Sequence, residues 1–217
     1  NTNRDFEINR EVQRGQIKLY KKYDLPVRRA SVMTTFGCNF EGSIAPQTVV
    51  ERLKEILDIA DEEGTPIEIL SLADTMGWAA PNGIKQVVGK VRETWPDKRI
   101  CLHLHDTRGM GIANVYAGLE MGVDLFDSSV AGLGGCPFAA LQGAAGNVCT
   151  EDIVFLCNEH GIETGVELDK LIEVARLAED IVGHPLPGSI MHAGSLTQYL
   201  APQAAEMVST EYHAPPG

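Results

Sequence analysis

The sequence predicts an α/β fold with a parallel sheet, closed as a TIM (β/α)8 barrel, of which four strand–helix units can be read. Two observations point there. Short apolar runs without clear polar alternation recur between amphipathic helical stretches, the pattern of strands covered on both faces. The conspicuous polar residues also gather where those runs end, at the strand carboxyl ends on which barrels build their chemistry. Cys38, Asn39 and Glu41 follow the first run, and Asp74 and Thr75 the second. His103, His105 and Asp106 close the third, and a glycine-rich stretch from Gly132 to Gly135 follows the fourth.

Taken in order, Glu11 to Tyr23 reads as a helix and Val27 to Phe36 as the first strand. The next helix has Pro46 near its start, Val49, Val50, Leu53, Ile56, Leu57 and Ala60 at helical spacing, and Gly64 as its stop. Ile67 to Ala73 is the second strand. A helix over Pro81 to Glu93 then puts Ile84, Val87, Val88 and Val91 on one side. Ile100 to His105 is the third strand, Ala113 to Met121 a shorter helix and Leu125 to Val130 the fourth strand. Asn147 to His160 reads as a helix. Beyond a turn at Gly161 to Gly165, Leu168, Leu171, Ile172, Ala175, Leu177 and Ile181 form a further helical stripe. The proline-bearing end is expected to be a loose tail, so that 1–200 belongs to the barrel and 201–217 does not.

The chain has 217 residues, 44% of them hydrophobic and 22% charged, enough for one compact domain. Its formal net charge of −12 argues against nucleic acid or an anionic membrane surface as a partner. No apolar run approaches the roughly 18 residues that span a bilayer, and no charged-then-apolar signal segment is visible. The five cysteines are scattered, without CxxC spacing, which fits a reducing compartment.

Two features carry chemistry. In a strand, His103 and His105 point to the same face and present half of a metal site. A glycine-rich stretch then leads into Cys136, where the backbone can approach a ligand closely and a thiol can sit on a mobile loop. Structural roles compete with these. Two histidines in a strand are often satisfied separately. Asp74 could cap the helix after Met76 and Gly77, and Asn147 could cap the helix that follows it. Cys38 reads as structural, while Cys101, Cys149 and Cys157 fall at core positions. His160, His184, His192 and His213 read as surface residues, and Arg28 and Arg29 as a solvated strand start.

The segments SVMTTFGCNFEG, SLADTMG, LHLHDTRG, SSVAGLGGCPFA and GAAGNVCTED, in this order, resemble the 3-hydroxy-3-methylglutaryl-CoA lyases, metal-dependent TIM-barrel enzymes. The resemblance implies that this chain holds roughly the second half of the barrel, strands five to eight. It implies His103, His105 and Asn147 as ligands of a divalent cation, Mg²⁺ or Mn²⁺. It implies Cys136 and Asp74 as the groups that move protons, with Thr75 and Gly135 at the substrate. The expected reaction is retro-Claisen cleavage of a 3-hydroxyacyl-CoA, in a homo-oligomer, most simply a dimer, of the cytoplasm or, in a eukaryote, the mitochondrial matrix. The chain departs from the family in two ways. The Arg-Asp pair that the family carries on its first strand is absent, and the stretch from Cys136 to Asn147 is longer than in the shortest members, with Leu141-Gln142 where polar or basic residues are frequent. Alternative expectations are an aldolase or synthase of the same superfamily acting on a 2-oxo acid, and a non-catalytic half barrel.

Overall fold

The computed structural model describes residues 6–135 and 145–200. The order is α1 (Phe6–Lys22), β1 (Arg29–Val32), α2 (Pro46–Glu62), β2 (Ile69–Ala73), α3 (Pro81–Thr94), β3 (Arg99–His103), α4 (Gly111–Glu120), β4 (Leu125–Asp127), α5 (Thr150–Glu159), α6 (Leu168–Val182), α7 (Ser189–Ala193) and α8 (Thr197–Leu200). The four strands form one parallel sheet in the order β1-β2-β3-β4. Parallel neighbours need a crossover, and α2, α3 and α4 supply it. Pro46 and Pro81 occupy the first turns of α2 and α3, where a missing N–H costs nothing and the fixed φ is already helical.

One side of the sheet is the core. Ala30, Leu70, Leu72, Ile100 and Leu102 pack with Val49, Leu53 and Ile59 of α2 and with Ile84, Val88 and Val91 of α3 in one continuous cluster. Burying each of these valine, leucine and isoleucine side chains is worth about 1.5–3 kcal/mol, which makes this layer the main source of stability. The alternate strand positions form the opposite face and are largely polar. Arg29, Ser71, Cys101, His103 and Asp127 lie there. The strands therefore do alternate in chemistry; the runs read as unalternating because Ser71, Cys101 and Ala73 are small and themselves buried.

Contact between β1 and β4 fixes the curvature of the sheet. The register sets Arg29 level with Ile69 and Arg99, and Asp127 level with His103, farther along the strands. In a flat sheet three strand spacings separate β1 from β4 by about 14 Å, and the register offset adds about 13 Å along the strands. Yet Arg29 Nη2 lies 2.6 Å from Asp127 Oδ2. Only a sheet coiled as in a barrel wall brings the two side chains together across its concave face.

Several element boundaries move. β1 stops at Val32 rather than Phe36 because Thr34 turns the chain at φ 52° and donates its N–H to Thr75 Oγ1, 2.8 Å away. Thr35 Oγ1 accepts from the Ala73 N–H and donates to the Val32 carbonyl. β4 ends at Asp127 and enters a 3-10 turn, Val130–Gly132, in which Ala131 has φ 53°. α5 begins at Thr150, not at Asn147. In α6 only Ile172 and Ala175 are buried, whereas Leu177 and Ile181 of the expected stripe are exposed. α7 was not anticipated; its Met191 joins Ala131, Ala175 and Leu186 in a second, smaller cluster. The expected tail, 201–217, lies outside the described residues.

Candidate functional site

The end of β3 sets the site. His103 closes the strand; His105, two residues on, forms an isolated bridge with Asn147. Their rings meet edge to face with centroids 5.1 Å apart. His105 is buried, and its Nδ1 lies 2.7 Å from the Asp74 carbonyl oxygen. A carbonyl accepts only, so Nδ1 carries the hydrogen and the Nε2 lone pair is left free for a cation. His103 Nδ1 lies 3.4 Å from Asp127 Oδ2. Burial, followed by the nearby His105, pushes the His103 pKa below the usual range, which favours the neutral ring that ligates metals.

Asn147 is placed by the backbone on either side of it. Asp106 N–H donates to the Gly146 carbonyl and Val148 N–H to the Leu104 carbonyl, which fastens this segment to the end of β3. The Asn147 side-chain amide donates to the Leu133 carbonyl at 2.9 Å, and its Oδ1 is buried with no hydrogen-bond partner. Since the helix starts three residues later and Asn147 Oδ1 accepts nothing from it, the capping alternative is excluded. The glycines permit this approach: Gly134 has φ 80°, and a Cβ there would lie 2.8 Å from Asn147 Nδ2. Gly135 follows at an exposed position. Cys136 lies outside the described residues.

Asp74 is buried after β2. Its N–H donates to the His103 carbonyl. Oδ1 accepts from the Trp78 and Ala79 N–H groups at 2.7 and 3.1 Å, so Asp74 braces the turn before α3 and does not cap the helix, whose N-cap is Ala80, while Oδ2 is buried without a partner. Burial raises its pKa above the ordinary carboxyl value, against the opposing pull of those two N–H bonds, His105 and Arg108. Thr75 is also buried, with its hydroxyl accepting from Thr34, which ties β1 to the same loop. Among the remaining cysteines, Cys38, Cys101, Cys149 and Cys157 are all buried. His160, His184 and His192 are exposed; His213 lies outside the described residues.

Arg29 and Asp127 were not anticipated in the site. Arg29 is the exposed strand start the sequence suggested, and it also crosses the sheet to Asp127 and contacts Cys101 Sγ. The signal for Asp127 was its place at a strand carboxyl end, the same logic that singled out Asp74.

Two imidazoles and one amide oxygen are too few for a closed metal site, and among the described residues no cluster of three His, Cys, Asp or Glu side chains could hold a metal. The donors nevertheless fit a hard divalent cation: a free Nε2, an orphaned buried oxygen on the bridged residue and an adjacent second ring.

Parallel strand–helix units with their candidate groups at the strand carboxyl ends define an α/β protein of the TIM-barrel class. The chain belongs to the HMGL-like family, whose model matches residues 3–178. It is 35% identical over 181 residues to a hydroxymethylglutaryl-CoA lyase of Bacillus subtilis, covering 83% of this chain and 55% of that protein. To the mitochondrial hydroxymethylglutaryl-CoA lyase of Bos taurus it is 43% identical over 145 residues, 67% of this chain and 42% of that one. Among solved structures, the Bacillus subtilis HMG-CoA lyase superimposes with a TM-score of 0.78 at 37% identity, covering 89% of this chain and 62% of that one. An Acinetobacter baumannii HMG-CoA lyase in complex with coenzyme A and 3-methylmalate gives 0.73 at 36% identity, covering 94% and 59%. The chain thus spans about half the length of the curated relatives it matches. Among the described residues no helix is long and apolar enough to cross a membrane.

Proposed function

We propose that this chain contributes strands five to eight of a (β/α)8 barrel, within residues 1–200, that cleaves 3-hydroxy-3-methylglutaryl-CoA or a close 3-hydroxyacyl-CoA to acetyl-CoA and acetoacetate. The observation that carries the reading is the buried, unpartnered side-chain Oδ1 of Asn147, a residue whose backbone is bridged to that of His105, whose Nε2 is free. An orphaned acceptor in a protein interior costs about 1–3 kcal/mol, so it is tolerated where a ligand satisfies it. His103, His105 and Asn147 would hold Mg²⁺ or Mn²⁺, with the remaining positions filled from the complementary strands and water. A divalent cation there would supply charge stabilisation for an oxygen that becomes anionic during cleavage.

In a retro-Claisen reaction the tertiary hydroxyl loses its proton and its oxygen becomes the ketone of acetoacetate. The bond from the tertiary carbon to the thioester α-carbon breaks, its electron pair leaving as the thioester enolate. That carbon then takes a proton and becomes the methyl group of acetyl-CoA. Asp74 is the group we assign to accept the hydroxyl proton, as a carboxylate whose Oδ2 is unengaged and which burial makes a stronger base. Cys136 is assigned to the enolate side. Thr75 and Gly135 are assigned to substrate contacts, and two copies of the barrel to a dimer. Relatives are named both as cytoplasmic and as mitochondrial forms, and we place this protein in the cytoplasm or, in a eukaryote, the matrix.

Acetoacetate release from 3-hydroxy-3-methylglutaryl-CoA by the complete barrel, stripped of metal and then given Mn²⁺ or Mg²⁺, tests the reading. Release that returns with the cation and is lost in Asn147→Ala supports it. Cleavage unaffected by chelation overturns it, and turnover of only 2-oxo acids would assign the barrel to the synthase side of the superfamily.

A further inference from the structure

A backbone carbonyl fixes the His105 ring, whereas among the described residues no carbonyl bonds the His103 ring. The group beside the His103 Nδ1 is the Asp127 carboxylate at 3.4 Å, in register across β3 and β4. That carboxylate is itself held. Arg29 reaches over the concave face of the sheet and donates to Asp127 Oδ2 at 2.6 Å, and its guanidinium rests against Cys101 Sγ, one layer below His103. All four side chains share the polar face, and the pair joins the first strand of the sheet to the last. A bridge that only bolted the wall together would have no need to end beside an imidazole.

We infer that Asp127, held in place by Arg29, is a positioning residue for His103: it anchors the Nδ1–H and turns Nε2 toward the cation site. The inference rests on the metal reading above. An imidazole whose far nitrogen donates to a carboxylate has one tautomer, a fixed ring plane and greater basicity at the ligating nitrogen. Arg29 acts one step further out. One guanidinium nitrogen holds the same carboxylate oxygen that faces the imidazole, and a lysine in its place would act as a point charge with less directional control. His103 and His105 then reach the same state by different means, one through a side-chain relay from the far strand and the other through the main chain.

The test uses Mn²⁺ as the probe in the complete barrel, with Asp127→Asn, Asp127→Ala, Arg29→Met, Arg29→Lys and His103→Ala. Loss of such a partner weakens metal binding by about 10- to 100-fold. That loss is expected for Asp127→Ala, with Arg29→Met weaker than wild type and Arg29→Lys in between. Adding Arg29→Met to Asp127→Ala should cost nothing more, since the arginine acts through the aspartate. In metal-free protein, nitrogen NMR of the His103 ring should show one tautomer with hydrogen on Nδ1, and a mixture in Asp127→Ala. Variants are compared only where circular dichroism shows the native fold, and Asp127→Asn serves if the alanine variant fails to fold. Wild-type Mn²⁺ affinity in folded Asp127 variants, while His103→Ala has lost it, overturns the positioning role and leaves the metal site standing. Wild-type affinity in His103→Ala overturns both.

Discussion

The Asn147 side-chain amide donates to the Leu133 carbonyl at 2.9 Å and leaves its own oxygen buried and unclaimed. One residue thereby links the glycine-rich stretch after β4 to the end of β3, and presents an acceptor at the same place. Gly134 makes the fit possible, because its left-handed φ and missing Cβ let the backbone pass against the amide.

Gly134→Ala should therefore strain this junction twice, through φ 80° and through a Cβ 2.8 Å from Asn147 Nδ2. A stability loss of about 1–3 kcal/mol is expected, together with weaker Mn²⁺ binding. Gly161→Ala, at a positive φ in open space, is the control: it should lose stability alone. Thermal melts and Mn²⁺ titrations of the two variants make the comparison, and unchanged Mn²⁺ affinity in Gly134→Ala would separate the glycine from the site.

The assigned thiol predicts a contrast between two cysteines. In the complete barrel Cys136→Ala should reduce turnover by roughly 10²- to 10⁴-fold, the span for loss of a positioned acid–base group, with Mn²⁺ affinity unchanged. Cys38→Ala should leave turnover close to wild type, since its buried sulfur only accepts from the Glu41 N–H at a turn. Steady-state acetoacetate formation distinguishes the two, and equal effects would remove the thiol from the reaction.

Glu151 gives a pH dependence. It is buried at the start of α5, accepts from the Ala131 N–H at 3.0 Å and has a second oxygen without a partner. Burial raises its pKa above 4.5. The folded protein therefore holds this proton more tightly than the unfolded chain, and the stabilisation from it, complete below 4.5, is lost as pH rises through the raised folded value. Denaturant melts across mildly acidic pH should show wild-type stability falling with rising pH relative to Glu151→Gln. Parallel curves for the two proteins would show that Glu151 does not titrate differently on folding.

Among the described residues β1 and β4 are the unpaired edges of the sheet, and the face carrying Arg29 and His103 is open between them. Residues 1–217 by themselves should associate through these edges. Sedimentation velocity is expected to show concentration-dependent association; a single compact monomer at all concentrations would show that the edges are protected.

Much of this was legible because periodicity and punctuation are local. Pro46 and Pro81 mark helix starts, and the spacing of Val49, Leu53 and Leu57 marks a buried face. His103 and His105 were readable as a pair because strand geometry alone puts them together. What was not legible depends on contacts distant in sequence. The partnership of Arg29 with Asp127 exists only once the sheet coils, and nothing near Arg29 in sequence announces it. Asn147 looked equally suited to a cap until Val148 and Gly146 were seen bonded to the end of β3. The α6 stripe misled because periodicity reports that one face of a helix is apolar, and not that another element covers all of it. Ile172 and Ala175 meet the rest of the fold, while Leu177 and Ile181 do not.

The most direct measurement is calorimetric titration of Mn²⁺ into the complete barrel and into its His103→Ala/His105→Ala variant. Our account predicts one site per chain in the parent and no measurable binding in the variant, with helical circular dichroism nearly unchanged. Equal affinity in the two proteins would place any metal elsewhere and contradict the site built on β3.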